Sequence, residues 1–334
     1  MISETHHMFM FISCIKKSLA RRIKMKWFLL LICMLNSSCT LASLPKAKYT
    51  VHATDAETGL PITNALVRTG FEHQYDPWGN RPNIVDRRKE ALDENGFVTF
   101  SGKTLGNEWG GNVHAEGYYS HGFGMKYKHN VVLNRWEPWN PTFEVKMRPK
   151  KNPVPMYHRE GHWSAFKVPE YEKLLGYDLE KQDFVSPHGK GSKADLFFEF
   201  KRDFKNSQNY DVSCRLTFPN EHDGIQEYYF DETIRSSFKW PYLAPTNSYR
   251  PTVEWHSTRS NAGAISNNFK ENVNYIFRVR TQVDDEGNIT SACYGKISGP
   301  FGLGWADWAN WVYWFNPVPN ERSLEYNGVN LLKK

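Results

Sequence analysis

The sequence predicts a mainly β protein: two β-sandwich-like domains joined by a proline-rich linker, behind an N-terminal signal segment. Three observations carry this reading. Many segments alternate apolar and polar residues with a period of two, the pattern of half-buried strands. Prolines 149, 153 and 155 flank Lys150 and Lys151, a composition that disfavours helix and favours an extended connector. Near the start, a basic stretch runs into a short apolar one. The expected organisation is a leader over 1–44, a first domain over 45–149, a linker over 150–156 and a second domain over 157–334.

The leader comprises Lys16, Lys17, Arg21, Arg22, Lys24 and Lys26, then the apolar run from Trp27 to Leu35. About nine apolar residues suit a signal-peptide core and fall well short of the roughly 20 that span a bilayer as a helix. The start is either Met1 or Met25, the latter leaving a compact leader from Met25-Lys26-Trp27. Thr40-Leu41-Ala42 offers the small residues of an ordinary cleavage site. The segment Leu35-Asn-Ser-Ser-Cys39 resembles a bacterial lipobox with Cys39 as the lipidated residue, departing from it in Asn36. The expected location is therefore outside the cytoplasm, either lipid-anchored in the cell envelope or secreted or periplasmic. Membrane contact is expected only through a lipid on Cys39.

Residues 1–39 hold six Lys/Arg and one Glu, which accounts for +5 of the chain's formal +6. The remainder is close to neutral and has no basic stripe, so nucleic acid is not an expected partner. Of five cysteines, only Cys214 and Cys293 lie beyond the leader. In an exported chain these two are candidates for a disulfide, or equally for two unpaired core thiols.

In the first domain, Ala47, Tyr49, Val51 and Ala53 share one face of a strand over 46–53. Turn chemistry at 55–59 leads to a strand over 65–69. Asp93-Glu-Asn-Gly96 precedes a strand over 97–100, since Asn-Gly accepts the positive φ of hairpin turns. Further strands are expected at 111–119 and 143–147. The combination of Asp55-Ala-Glu-Thr-Gly-Leu-Pro-Ile62, Ala65-Leu-Val67, Asp93-Glu-Asn-Gly96 and His114-Ala-Glu-Gly-Tyr118 resembles a carboxypeptidase regulatory-like domain. The resemblance covers roughly 46–149 and implies a transthyretin-like sandwich. It says little of function, because that sandwich serves as spacer, stabiliser or binding module in unrelated proteins. Residues 71–92 depart from it as a long polar insertion, expected to be a covering loop, with Trp78 on a turn as a candidate contact.

The second domain resembles no characterised family. Strands are expected at 194–201, 210–218, 275–281, 289–294 and 309–315, the last with Trp311, Tyr313 and Phe315 on one face. A helical turn or two is expected at 170–179.

Candidate chemistry is sparse. His158-Arg-Glu-Gly-His162 sets two imidazoles four apart with Glu160 between, a weak candidate for a metal, since its order is HxExH and Gly161 disfavours a helix. No nucleophile elbow, phosphate loop or dinucleotide fingerprint is present, and no cofactor is expected. Aromatic residues make up 15% of the chain, and Trp305, Trp308, Trp311 and Trp314 recur every third residue. Exposed indole faces stack on sugar rings, whereas buried ones fill a core. The first expectation is a non-enzymatic exported envelope protein acting as a binding or interaction module, with polysaccharide or another envelope protein as partner. The alternatives are a glycan-binding protein or accessory to polysaccharide breakdown, and a metal-dependent hydrolase.

Overall fold

The computed structural model describes residues 44–75, 82–160, 165–261, 263–303 and 307–332. The leader, including Cys39, lies outside the described residues, as do Trp78, His162 and Trp305. The described chain is built of strands and divides into two compact units, residues 1–148 and 149–334.

The first unit contains β1 (Lys46–Asp55), β2 (Leu66–Tyr75), β3 (Pro82–Ala91), β4 (Phe97–Lys103), β5 (Glu108–His114), β6 (His121–Lys126), β7 (Lys128–Asn130), β8 (Arg135–Glu137) and β9 (Thr142–Met147). One sheet has the order β4-β1-β8-β7, with β9 also paired to β1; the other runs β3-β2-β5-β6. The alternation read in β1 is realised, for Ala47, Tyr49, Val51 and Ala53 are all fully buried. Phe71, Phe100 and Trp109 surround the Tyr49 ring at 4.9–6.1 Å. That enclosure pushes the Tyr49 hydroxyl up to about 12, against a weaker opposing hydrogen bond to Thr69.

The motif residues of this unit meet in space. The Asp55 carboxylate accepts the Glu57 and Thr58 amides at 2.8 Å each, and the Tyr118 hydroxyl donates to its other oxygen at 2.8 Å. Gly96 has φ of 79°, and a Cβ there would stand 2.7 Å from the Ala53 carbonyl, so both conformation and space require glycine. The polar insertion departs from expectation: 71–75 and 82–91 are the arms of a β2–β3 hairpin paired from Leu66↔Ala91 outward.

The second unit contains β10 (Val154–Arg159), β11 (Phe166–Lys167), β12 (Leu174–Asp178), β13 (Asp183–Phe184), β14 (Leu196–Asn206), β15 (Asn209–Thr217), β16 (Gly224–Tyr229), β17 (Thr252–Arg259), β18 (Ser266–Asn267), β19 (Val273–Val283), β20 (Ile289–Leu303), β21 (Trp308–Asn316) and β22 (Tyr326–Asn330). A seven-stranded sheet, β16-β19-β20-β21-β10-β22 with β11 on β21, faces a six-stranded one, β13-β12-β14-β15-β17-β18. Leu196, Phe198 and Phe200 of β14 meet Phe277, Trp311, Tyr313 and Phe315 in the core between them. Trp255 Nε1 donates across the sandwich to the Tyr275 hydroxyl at 3.0 Å.

Two expectations are corrected here, and one left open is decided. Residues 150–156 are not a free connector. The Lys151 and Asn152 amides donate to the buried Glu325 carboxylate at 3.0 and 2.7 Å, and β10 begins at Val154. Residues 170–179 are not helical: Leu175 and Tyr177 are buried on either side of the half-buried Gly176, and β12 pairs with β14. Burial on a period of two overrides the helix-compatible composition. Of the two readings of Cys214 and Cys293, the second holds: both are buried free thiols. They face one core from opposite sheets, and facing sheets stand about 10 Å apart, more than a disulfide ordinarily spans. The Cys293 thiol donates to the Pro317 carbonyl at 3.4 Å, and Cys214 sits opposite Phe200 and Trp255 on its neighbouring strands.

Candidate functional site

The tryptophan series was the strongest expectation of a binding face, and strand geometry dismantles it. Side chains on a strand alternate faces, so residues three apart point opposite ways. Trp311 enters the core, 2% exposed, with Tyr177 and Phe198 rings each 5.2 Å away. Trp308 and Trp314 share the outer face of β21, but six residues separate them by roughly 20 Å.

Trp314 has both ring faces occupied. His158, its cross-strand partner on β10, stacks on one face at 4.6 Å and 6°. On the other strand neighbour, β20, the Lys296 ammonium lies 5.0 Å from the ring centroid. A sugar would have to displace one of them. Trp308, 53% exposed, is the member of the series that offers an open indole among the described residues.

Lys296 is the most unusual group on this face. It is 3% exposed, with Phe238 and Trp240 at 5.2 and 5.3 Å in addition to Trp314, and its Nζ donates to the Leu324 carbonyl at 2.5 Å. The rings belong to chain that crosses the outer face of the seven-stranded sheet as a third layer. Burial lowers the Lys296 amine to about 7, partly offset by Glu325. An amine of that pKa has the basicity of a nucleophile or proton acceptor, but the cage closes it from solvent.

The aromatic faces favour the ammonium, whereas burial disfavours it. A free amine in the folded state and an ammonium in the unfolded one make stability rise as pH climbs from about 7 to about 10.5; below that window both states are charged and the penalty is complete. Lys296→Met removes the titrating amine and is therefore expected to remove most of that climb. Denaturant titrations at either end of the window measure this; a variant whose stability climbs as steeply as the parent's would refute the expectation.

Of the metal candidate, His158 and Glu160 are described and His162 lies outside the described residues. His158 is committed to Trp314, and burial lowers its imidazole below the usual range. No group of three His, Cys, Asp or Glu suited to a metal ion occurs among the described residues.

A carboxylate cluster escaped the sequence reading altogether. Arg280 of β19 binds Asp195 through Nε at 2.8 Å and Nη2 at 3.0 Å, and Glu180 through Nη1 at 2.5 Å. The Tyr157 hydroxyl donates to the far Glu180 oxygen at 3.2 Å, and the Leu179 amide to Asp195 at 3.1 Å. Two carboxylates divided by a guanidinium are an ion-pair network rather than an acid–base pair, and the arrangement raises the Arg280 pKa above its already high value. No local signal marks it, because Arg280 lies 85 and 100 residues from its two carboxylates.

No protein-family model matches this sequence, and no curated protein matches it. Among solved structures, catechol 1,2-dioxygenase from Acinetobacter sp. ADP1, inhibited by bound mercury, is 14% identical, with a TM-score of 0.24 over 32% of this chain and 54% of that one. This chain thus spans about half of the dioxygenase. A DUF3823 family protein from Parabacteroides merdae ATCC 43184 is 10% identical, with a TM-score of 0.20 over 82% of this chain and 100% of that one. A protein of unknown function from Bacteroides fragilis NCTC 9343 is also 10% identical, with a TM-score of 0.17 over 84% and 100%. Likenesses this slight transfer neither a fold nor an activity to this chain.

Proposed function

We propose that this chain is a non-enzymatic, exported cell-envelope protein whose two sandwiches act as a binding or interaction module. The observation that carries the reading is how the reactive groups are used. Lys296 is sealed in an aromatic cage, His158 is stacked on Trp314, and Glu180 and Asp195 are joined through Arg280. Each is held by structure rather than presented to a substrate. The basic-then-apolar leader supports export, and the Asp55–Tyr118 bond supports assigning the first unit to the carboxypeptidase regulatory-like sandwiches.

Fractionation of cells expressing the full chain tests this directly. The protein is expected in the envelope fraction, carrying palmitate label that Cys39→Ala abolishes. Recovery in the cytoplasm would overturn the location. Hydrolysis of a polysaccharide or peptide by the purified chain, lost on changing one acidic residue, would overturn the non-enzymatic reading.

The exposed Trp308 favours one second reading, a glycan-binding protein or accessory to polysaccharide breakdown. The exported chain from Thr40 onward is then retained on insoluble polysaccharide or peptidoglycan, and Trp308→Ala lowers that retention by roughly 1–3 kcal/mol of binding free energy, the worth of one stacked ring. Equal retention of the variant would end this reading.

A further inference from the structure

Exposed apolar side chains scattered singly are ordinary on a protein surface, but three in succession on a hairpin tip are not. Strands β7 and β8 pair from Lys128↔Glu137 to Asn130↔Arg135, and Val131, Val132 and Leu133 form the turn between them, 77%, 93% and 53% exposed.

The tip is held in place. Asn130 Oδ1 accepts the Leu133 amide at 3.1 Å, and Asn134 takes the left-handed φ of 44° that closes the turn. At the root, Trp136 is buried and its Nε1 donates to the Thr104 carbonyl at 3.0 Å. The sequence thus places three apolar residues on a rooted support, where turn chemistry ordinarily places polar ones.

The position of the tip relative to the chain's entry decides what it meets. The Lys46 amide donates to the Asn134 carbonyl at 3.0 Å, and the Thr104 amide to the Pro45 carbonyl at 3.1 Å. The chain therefore enters the first sandwich beside the tip. It leaves that sandwich after Met147, which pairs with Asp55 at the other end of β1, nine residues from Lys46 or roughly 30 Å away. Cys39 lies seven residues before Lys46, a reach of at most about 25 Å. The flanks carry a net positive charge: Lys46, Lys126 and Lys128 are exposed, Glu108 and Glu137 stand across from Lys126 and Lys128, and the Arg135 guanidinium reaches Glu137 at 2.7 Å and lies over the Trp139 ring at 5.0 Å.

From this juxtaposition of an apolar tip, a basic collar and the leader junction, we infer that the β7–β8 hairpin inserts Val131, Val132 and Leu133 into the surface of an anionic lipid bilayer. It is a second membrane contact, beyond the single lipid expected at Cys39. The inference rests on the exported, envelope-facing reading above. Its physical basis is that of interfacial anchoring, in which apolar side chains enter the headgroup boundary while lysines meet anionic lipid.

The test uses the exported chain from Thr40 onward, which carries no lipid and so reads the tip alone. It is sedimented with vesicles of phosphatidylethanolamine and phosphatidylglycerol. The chain is expected to co-sediment, less at high salt, and the double variant Val132→Asp, Leu133→Asp to lower the bound fraction roughly tenfold or more. Both side chains are exposed, so the melting temperature is expected to stay unchanged, and this is measured in parallel. No sedimentation of the parent chain, or equal sedimentation of the variant, overturns the inference. Vesicle binding unaffected by the variant together with loss of a crosslinked envelope protein would give the tip to a protein partner instead, and also overturns it. Palmitate labelling of the full chain separates the two readings: a missing label removes the anchor at Cys39 and leaves the vesicle result standing.

Discussion

Trp311→Ala is expected to lower the stability of the second sandwich by about 3–5 kcal/mol, whereas Trp308→Ala shifts it by less than about 0.5 kcal/mol. The two residues are three apart on one strand and differ only in the face they occupy. Trp311 is 2% exposed and lies among Tyr177, Phe198, Phe301 and Tyr313, with ring centroids 4.6–6.1 Å away. Removing an indole from such a site forfeits its burial and leaves a cavity that the surrounding rings fill only in part. Trp308 is 53% exposed and forfeits little. Chemical denaturation of both variants, with fluorescence as the readout, measures the difference. Equal losses would mean that β21 does not alternate as described and that the indoles do share a face.

This contrast also marks what could be read in the sequence. Periodicity two in β1 identified its buried face residue by residue, because one side of that strand meets the core and the other meets water. The same rule applied to Trp308, Trp311 and Trp314 of β21 splits the series, and the regular spacing of three concealed that. Strand β19 was harder to read. All residues from Val273 to Val279 are buried, since one face meets the core and the other is covered by a third layer that brings Phe238, Trp240 and Tyr249 over Lys296 and Arg278. A strand covered on both sides loses its alternation, and the covering chain has no regular pattern of its own. The Asp55–Tyr118 contact was legible as a motif before it was legible as a bond. The Val131-Val132-Leu133 tip resembles the middle of a buried strand, and only the register of β7 with β8 reveals it as an exposed turn.

The Arg280 network was invisible for the opposite reason, as its worth lies entirely in contacts made over long sequence separations. Arg280 itself occupies the left-handed region, with φ of 60°, where the pairing of β19 with β20 is interrupted between Val279 and Gln282. Arg280→Met keeps that backbone strain and much of the side-chain volume, so the measured change belongs to the guanidinium. The Asp195 side chain is fully buried and would lose both of its charged hydrogen bonds, while Glu180, about one-third exposed, can turn to water. An uncompensated buried carboxylate costs about 3–5 kcal/mol, and a loss of that size is expected by urea denaturation at neutral pH. Adding Asp195→Leu to the same chain removes the stranded charge and is expected to recover most of the loss. The remainder, about 1–3 kcal/mol, reflects the Leu179 amide left without its acceptor. If Arg280→Met alone cost less than about 1 kcal/mol, Asp195 would have another source of compensation, and the network would not be what ties β19 to the loop before β14. If the double variant were no better than the single one, the shape of the arginine rather than its charge would be holding that end of the sandwich together.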